Sequence, residues 1–259
     1  MTDKVAVEDR GPIRVLRINR PELRNCVDGE TAVGLGEAIE AFAAAAAARV
    51  LIVTGAGEVA FCAGADLKNP RSLLGHRYVD VAGPMGFARL DPGKPTIAAI
   101  NGYCFAGGFE LAAWCDFRIA AANAEFGCLS RRWGIPYTDG GTQRFARIMG
   151  LGNALYLLET GARIDAQRAC AIGFLQEVVP EGQALARALE LAGTIASYPN
   201  FAAIRADRQA ALATHGLSLD EGLQLEARVV RPTLASEELA AGLARFAAGA
   251  RDPSPRPSS

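Results

Sequence analysis

Histidine is scarce in this chain. There are two in 259 residues, His76 and His215, both in stretches that read as helical or surface segments. A Ser-His-Asp triad or a His-rich metal site is therefore not expected. Ser130 sits in no G-x-S-x-G frame, which removes the usual serine-hydrolase elbow. The six cysteines (26, 62, 104, 115, 128 and 170) include no C-x-x-C pair. This spacing fits reduced thiols in a cytoplasmic protein, not a disulfide framework or a zinc site, and no metal is expected. Charge of one sign is also missing: 27 basic against 28 acidic residues leave a formal charge of −1. No basic surplus points to nucleic acid or an anionic membrane. No apolar run reaches the ~18–20 residues that span a bilayer, and the alanine run 43–48 is a helix-forming tract. The first ten residues, MTDKVAVEDR, are polar, so no signal-peptide core is expected there. No internal repeat is visible.

What the chain does have is enough apolar sequence to build a core: 50% hydrophobic residues and 21% charged. Residues 5–8 and 13–19 flank the turn Asp9-Arg10-Gly11-Pro12 and read as a hairpin. Residues 31–48 read as a helix, and 49–54 (RVLIVT) as a buried strand. The stretch 61–68 (FCAGADLK) reads as a turn leading into a short helix, and 69–93 as a mobile or partly helical insertion. Two more strands follow, 96–101 and 117–121, separated by a helix that opens at Gly107. Strands alternating with helices give an α/β class with crossover connections. After about Gly140 the character becomes helical: 142–149, 153–158, 165–172 and 182–196. Asp165 is placed to cap, Gly150, Gly161 and Gly173 to stop helices, and Val178-Val179 reads as a short edge strand. Residues 201–250 read as amphipathic helix. The expected division is a core over 1–195, a helical region over 196–250 and a disordered tail over 251–259.

Two small-residue turns follow strands. The first, Gly55-Ala56-Gly57-Glu58-Val59-Ala60, matches G-x-G-x-x-A, but alone that is a weak dinucleotide signal. No acidic residue ends a clear second strand about 20 residues later. The second is Asn101-Gly102…Ala106-Gly107-Gly108-Phe109-Glu110. Bare N–H groups from two such turns can converge on one oxygen as an oxyanion hole. Glu110, three residues after Gly107, could carry a proton beside that oxygen, or could simply stabilise a helix N-terminus. Asp139, in Ile135-Pro136-Tyr137-Thr138-Asp139-Gly140-Gly141, is either the N-cap of the helix at Thr142 or a second carboxylate on the same pocket. Arg131-Arg132 reads as a surface or subunit salt-bridge pair. Trp114 and Trp133 read as core.

Four segments in order resemble the crotonase (enoyl-CoA hydratase/isomerase) superfamily. They are Arg20-Pro21…Arg24-Asn25, Phe61-Cys62-Ala63-Gly64-Ala65-Asp66-Leu67, Asn101-Gly102…Glu110-Leu111-Ala112…Cys115-Asp116, and Gly140-Gly141-Thr142-Gln143-Arg144. The resemblance runs from about Val5 to Ala250. It implies a crotonase-like spiral of ββα units with a helical C-terminal region that supports a homotrimer or a dimer of trimers. It implies an acyl-CoA substrate, with coenzyme A entering only as part of the thioester and no other cofactor. Ala65 and Gly107 match the backbone donors that hold the thioester oxygen of an enolate. Ala63, Asp66 and Leu67 match backbone that meets CoA, and Arg24 matches a basic position near its phosphates. Glu110 matches the first of two hydratase glutamates. Ser130 falls where the second would be, and serine cannot replace it as an acid. Asp139 matches a position that is a functional aspartate in dienoyl-CoA isomerase, chlorobenzoyl-CoA dehalogenase and 6-oxocamphor hydrolase. The basic cluster that often meets CoA from a neighbouring subunit is thin here, at 246–251. The implied activity is nominally that of an enoyl-CoA hydratase. The alternatives are dienoyl isomerisation, decarboxylation, C–C hydrolysis through Asp139, or a catalytically silent acyl-CoA-binding protein.

Overall fold

The computed structural model describes residues 3–249. The expected tail, 251–259, and Ala250 lie outside them. The hairpin forms as read: β1 (Val5–Arg10) pairs antiparallel with β2 (Ile13–Ile18), Val5 opposite Ile18. The next helix, α1 (Gly29–Ala44), begins earlier than residue 31 because the Asp28 side chain caps the N–H of Thr31. It also stops before the alanine run ends. Lys94 Nζ takes the Phe42 and Ala45 carbonyls at 2.9 and 2.7 Å and seals the terminus.

Next come β3 (Val50–Gly55) and β4 (Ala60–Cys62). The chain between them turns into a strand and not a helix, which removes the dinucleotide reading. No helix follows at 61–68 either. Gly64 bends the chain at φ +97°, Ala65 forms an isolated bridge with Val27, and the next helical turn is the 3-10 segment Pro70–Leu74. The stretch 69–93 also contains α2 (Val79–Ala82), and its Leu73, Met85 and Phe87 are buried in the main core. It is packed structure, which its polar and apolar mixture concealed.

Then follow β5 (Thr96–Ile100), β6 (Tyr103–Phe105), α3 (Gly107–Trp114), β7 (Phe117–Ala121) and β8 (Glu125–Gly127). The helices α4 (Gly141–Met149), α5 (Leu151–Thr160) and α6 (Ala166–Ala171) surround β9 (Arg163–Asp165). Asp165 caps α6 by accepting from the Arg168 N–H at 2.7 Å, and Gly150, Gly161 and Gly173 all turn with positive φ. The short strand β10 (Glu177–Val179) sits at a sheet edge, and α7 (Ala184–Ser197) follows.

Two sheets result. One runs β1-β2-β3-β5-β7-β10 and is parallel apart from its hairpin; the other runs β4-β6-β8-β9. In the first sheet β3, β5 and β7 are each followed by a three-residue strand of the second, so the chain advances by repeating the pair β3–β4, β5–β6, β7–β8. This is the α/β spiral of the expected class. The C-terminal ends of β4, β6 and β8 lie side by side, and their loops build the site.

The chain divides into two compact units, the second beginning at Gly193, within α7. This second unit contains α8 (Phe201–Leu212), α9 (Leu219–Leu234) and α10 (Glu237–Ala247). A reciprocal Ser218–Glu221 capping box starts α9. Among the described residues no helix is long and apolar enough to cross a membrane.

Candidate active site

Glu110 is held from three directions. The chain enters its helix through Ala106, at φ +50°, ψ −122°, a conformation that costs an alanine roughly 1–3 kcal/mol. The Ala106 N–H is fixed to the Gly127 carbonyl at 3.0 Å, so the strain is locked between β6 and β8. Gly108 lets α3 rest directly on β4: a Cβ there would stand 2.0 Å from the Cys62 carbonyl oxygen. Phe109 packs into a cluster with Phe126, Phe145 and Phe174, its ring 4.4 Å from Phe145 and 4.6 Å from Phe174. The carboxylate beside this cluster is 3% exposed. Its Oε1 accepts the Asp139 N–H at 3.0 Å and the Gly141 N–H at 2.8 Å. Among the described residues no group donates to Oε2. Burial, and then the charge of Asp139, push the Glu110 carboxyl up to about 8 against the pull of those two N–H groups.

Asp139 does not cap α4. Gly140 occupies the cap position without a side-chain bond, because the Asp139 carboxylate is turned toward the 69–93 segment. Its Oδ1 accepts the Met85 N–H at 3.0 Å, and its Oδ2 the Thr138 hydroxyl at 3.1 Å. Burial raises its pKa; the Met85 and Thr138 bonds and the charges of Arg89 and Arg144 oppose that rise.

The turn at Gly64-Ala65, which follows β4 and not the Gly55–Ala60 stretch, meets the turn at Gly107. A Cβ on Gly64 would lie 2.9 Å from the Gly107 nitrogen. The bridge to Val27 uses the Gly64 carbonyl (2.9 Å) and the Asp66 N–H (2.8 Å), which turns the intervening Ala65 N–H to the opposite side. Among the described residues, neither the Ala65 nor the Gly107 N–H donates in a main-chain bond. Both residues line a cavity of about 220 Å³ that also contains Glu110, Asp139, Arg24, Ala63, Leu67 and Ser130. An adjoining groove of about 470 Å³ shares Arg24, Ala63, Ala65 and Leu67 and adds Asp66 and Lys68.

Every site residue expected from the sequence therefore borders one of two connected hollows. The Asp66 side chain is occupied with the Arg20 guanidinium at 2.9 Å and the Lys68 N–H at 3.1 Å. Its N–H is spent on the Val27 carbonyl at 2.8 Å, and its carbonyl accepts the Asn69 N–H at 3.0 Å. Ser130 lines the cavity; its hydroxyl and that of Tyr137 are buried and face each other, and among the described residues neither makes a well-formed hydrogen bond. Burial, together with Cys128, raises the Tyr137 phenol.

Three other lining residues are not singled out as site residues by the motifs, although the segment 69–90 is expected to contribute to the acyl pocket. Met85 comes from the segment read as a mobile or partly helical insertion, which is partly helical. Arg163 comes from the unforeseen strand β9 and stacks over Phe105, its guanidinium carbon 5.1 Å from the ring centroid. Trp133, expected in the core, is 73% exposed and lines the cavity, because it ends a 3-10 turn (Leu129–Trp133) that closes with a left-handed Gly134. Arg131 and Arg132 are exposed as expected, and neither histidine lines the cavity. Among the described residues, no three His, Cys, Asp or Glu side chains group as metal ligands.

This geometry has relatives. The model of the family described as enoyl-CoA hydratase/isomerase matches residues 8–253. A crotonyl-CoA hydratase from Syntrophomonas wolfei is 34% identical over 247 residues, covering 94% of this chain and 95% of the relative. A carnitinyl-CoA dehydratase from Salmonella arizonae is 36% identical over 226 residues, covering 86% and 85%. The crystal structure of an enoyl-CoA hydratase from Mycobacterium marinum superimposes with a TM-score of 0.89 at 33% identity, covering 96% of this chain and 97% of that one. On a match of this extent, the chain belongs to the enoyl-CoA hydratase/isomerase family, the crotonase superfamily that its four motifs resemble.

Proposed function

We propose that this lyase/isomerase acts on an acyl-CoA thioester and hydrates an enoyl group through a single carboxylate, Glu110. The observation that carries the reading is the convergence of the Ala65 and Gly107 turns beside a buried carboxylate with one oxygen uncommitted. Two N–H donors aimed at one carbonyl oxygen stabilise the charge of an enolate, each worth ~3–4 kcal/mol where such donors have been removed elsewhere. With the thioester oxygen between them, Glu110 takes a proton from water as the water oxygen bonds to the β-carbon. Glu110 then returns that proton to the α-carbon of the enolate. One water is consumed, and the carboxylate ends as it began. A group that titrates at about 8 can both accept and release a proton near neutrality.

In this reading CoA lies along the adjoining groove, with Arg24 near its phosphates and the main chain of Ala63, Asp66 and Leu67 against it. Coenzyme A enters as part of the substrate, and no further cofactor takes part. We place the protein in the cytoplasm, on the support of six free cysteines, and as a homotrimer or dimer of trimers. Leu151, Leu155 and Tyr156, exposed on α5, support an assembly.

The test is the loss of enoyl-thioester absorbance with crotonyl-CoA, for wild type beside Glu110→Gln. Turnover in the wild type that the substitution abolishes is the expected result. CoA binding without turnover would favour isomerisation, decarboxylation, ring cleavage or a silent acyl-CoA-binding protein. A serine hydroxyl at 130, where the resemblance would put a second acid, is the observation behind those readings.

A further inference from the structure

Asp139 reaches the cavity, but neither of its oxygens is uncommitted. Oδ1 is taken by the Met85 N–H and Oδ2 by the Thr138 hydroxyl. The Met85 thioether lies directly on Gly107: a Cβ built there would fall 2.1 Å from Sδ and 3.0 Å from Cε. Backbone on both sides fixes the strand of chain that carries Met85. Gly83, at φ +92°, leaves no room for a side chain against Asp139 Oδ1, 2.8 Å from where its Cβ would be. Gly86 is pressed on α1, with the Ala32 carbonyl oxygen 2.0 Å from its Cβ position. Arg144 closes the arrangement by donating to the Asp139 carbonyl at 3.2 Å and to the Ala88 carbonyl at 2.6 Å.

From this arrangement we infer that Asp139 is a positioning residue: it anchors the Met85 main chain so that the thioether walls the Gly107 donor site against water. The inference rests on the reading of Gly107 as an oxyanion donor. A buried main-chain donor bonded to a carboxylate is lost at the full cost of its desolvation when the acceptor is removed. The thioether is also suited to the task, since an unbranched, polarisable side chain adapts to an acyl group lying against it. Released from Asp139, Met85 withdraws, water reaches the donor pair, and the enolate loses the dry surroundings in which those N–H groups act most strongly.

A double-mutant cycle tests this with crotonyl-CoA, reading kcat and KM separately. Asp139→Ala and Met85→Ala are each expected to lower kcat/KM by about 30-fold, chiefly through kcat. Asp139→Asn keeps an acceptor oxygen for the Met85 N–H and is expected to recover most of what alanine loses. In a Met85→Ala background, Asp139→Ala is expected to cost less than threefold more, because residues acting through one another are not additive. If Asp139 itself carries a proton, asparagine is as inactive as alanine, and the loss is undiminished in the Met85→Ala background. Either result overturns the inference. Should Asp139→Ala fail to fold, Asp139→Asn beside Met85→Ala still decides. Glu110→Gln runs in the same panel. Its retention of turnover would overturn the hydratase reading, whatever the Asp139 series shows.

Discussion

The Asp139 main-chain N–H donates to Glu110 Oε1 at 3.0 Å, while the Asp139 carboxylate points the other way, to Met85. The two buried acids are thus joined through backbone and differ in how much of each carboxylate is committed. Under the proposed mechanism Oε2 of Glu110 is the oxygen that handles the reacting proton. A glutamine at 110 keeps an acceptor oxygen for the two N–H groups but cannot take up a proton. Glu110→Gln is expected to fold normally and to lower kcat by at least about 100-fold, the lower end of what a positioned acid–base group contributes. Steady-state kinetics with crotonyl-CoA, together with a melting curve, checks both halves.

The pH profile follows from the same group. The proposed hydration needs Glu110 ionised in the free enzyme, and burial raises its pKa to about 8. kcat/KM is therefore expected to rise with pH, from about one tenth of its plateau at pH 7 to half at pH 8, in line with a single titration. The residual rate of Glu110→Gln lacks that limb. A wild-type profile flat between pH 6 and 9 would remove Glu110 from the role of base.

Stability should move in the opposite direction. The folded pKa of Glu110 lies above its unfolded value of 4.5, so the folded state binds more protons between the two values. Its stabilising contribution is complete below pH 4.5 and is lost as pH rises through about 8. The full swing is of order 5 kcal/mol for one buried carboxyl. Urea unfolding at pH 5 and pH 9 should show Glu110→Gln gaining on the wild type at the higher pH. Parallel pH dependence in the two proteins would contradict the burial argument.

Adjacent glycines on α3 separate packing from chemistry. At Gly108 a methyl group meets the main-chain oxygen of Cys62, which cannot move without β4. Gly108→Ala is expected to cost about 3 kcal/mol or more, in the range of overpacking in a rigid core. At Gly107 the obstacle is the end of the Met85 side chain, which can swing aside. Gly107→Ala is expected to melt within a few degrees of wild type but to lose at least about tenfold in kcat, because the methyl group displaces the wall of the donor site. Comparable melting losses in the two variants would refute the distinction.

Physical signals explain what was legible in the residues and what was hidden. The long buried strands β3, β5 and β7 and the hairpin show in runs of five or six apolar-rich residues. The strands β4, β6, β8 and β9 are three residues each, too short for a period, yet they carry the loops of the site. Glu110 stands out beside a small-residue turn, whereas Ala65 and Gly107 could be named as donors only through the resemblance to the crotonase superfamily. The partner of Asp139 could not, since Met85 is 54 residues away in a segment with no clear pattern. Trp133 was misplaced for a related reason: a large aromatic side chain defaults to the core, and only the left-handed turn at Gly134 reveals that it lines a pocket mouth.

Ser130 offers the sharpest test of how one carboxylate manages alone. Its hydroxyl and that of Tyr137 are both buried, and among the described residues neither makes a well-formed hydrogen bond, although Cys128 and Ser130 face the phenol. A glutamate at 130 would place a second acid on the cavity near Glu110. Like charges in a buried site raise one another's pKa, so one of the two would stay protonated near neutrality and could protonate the α-carbon. It would also give the Tyr137 hydroxyl an acceptor, offsetting part of the cost of burying another carboxyl. Ser130→Glu is accordingly expected to raise kcat for crotonyl-CoA hydration by at least about tenfold while lowering the melting temperature. Tyr137→Phe in that background should return part of the gain. An unchanged or lower rate, with folding and CoA binding intact, would mean that proton delivery to the α-carbon does not limit the wild-type enzyme, and that Glu110 already serves both ends of the double bond.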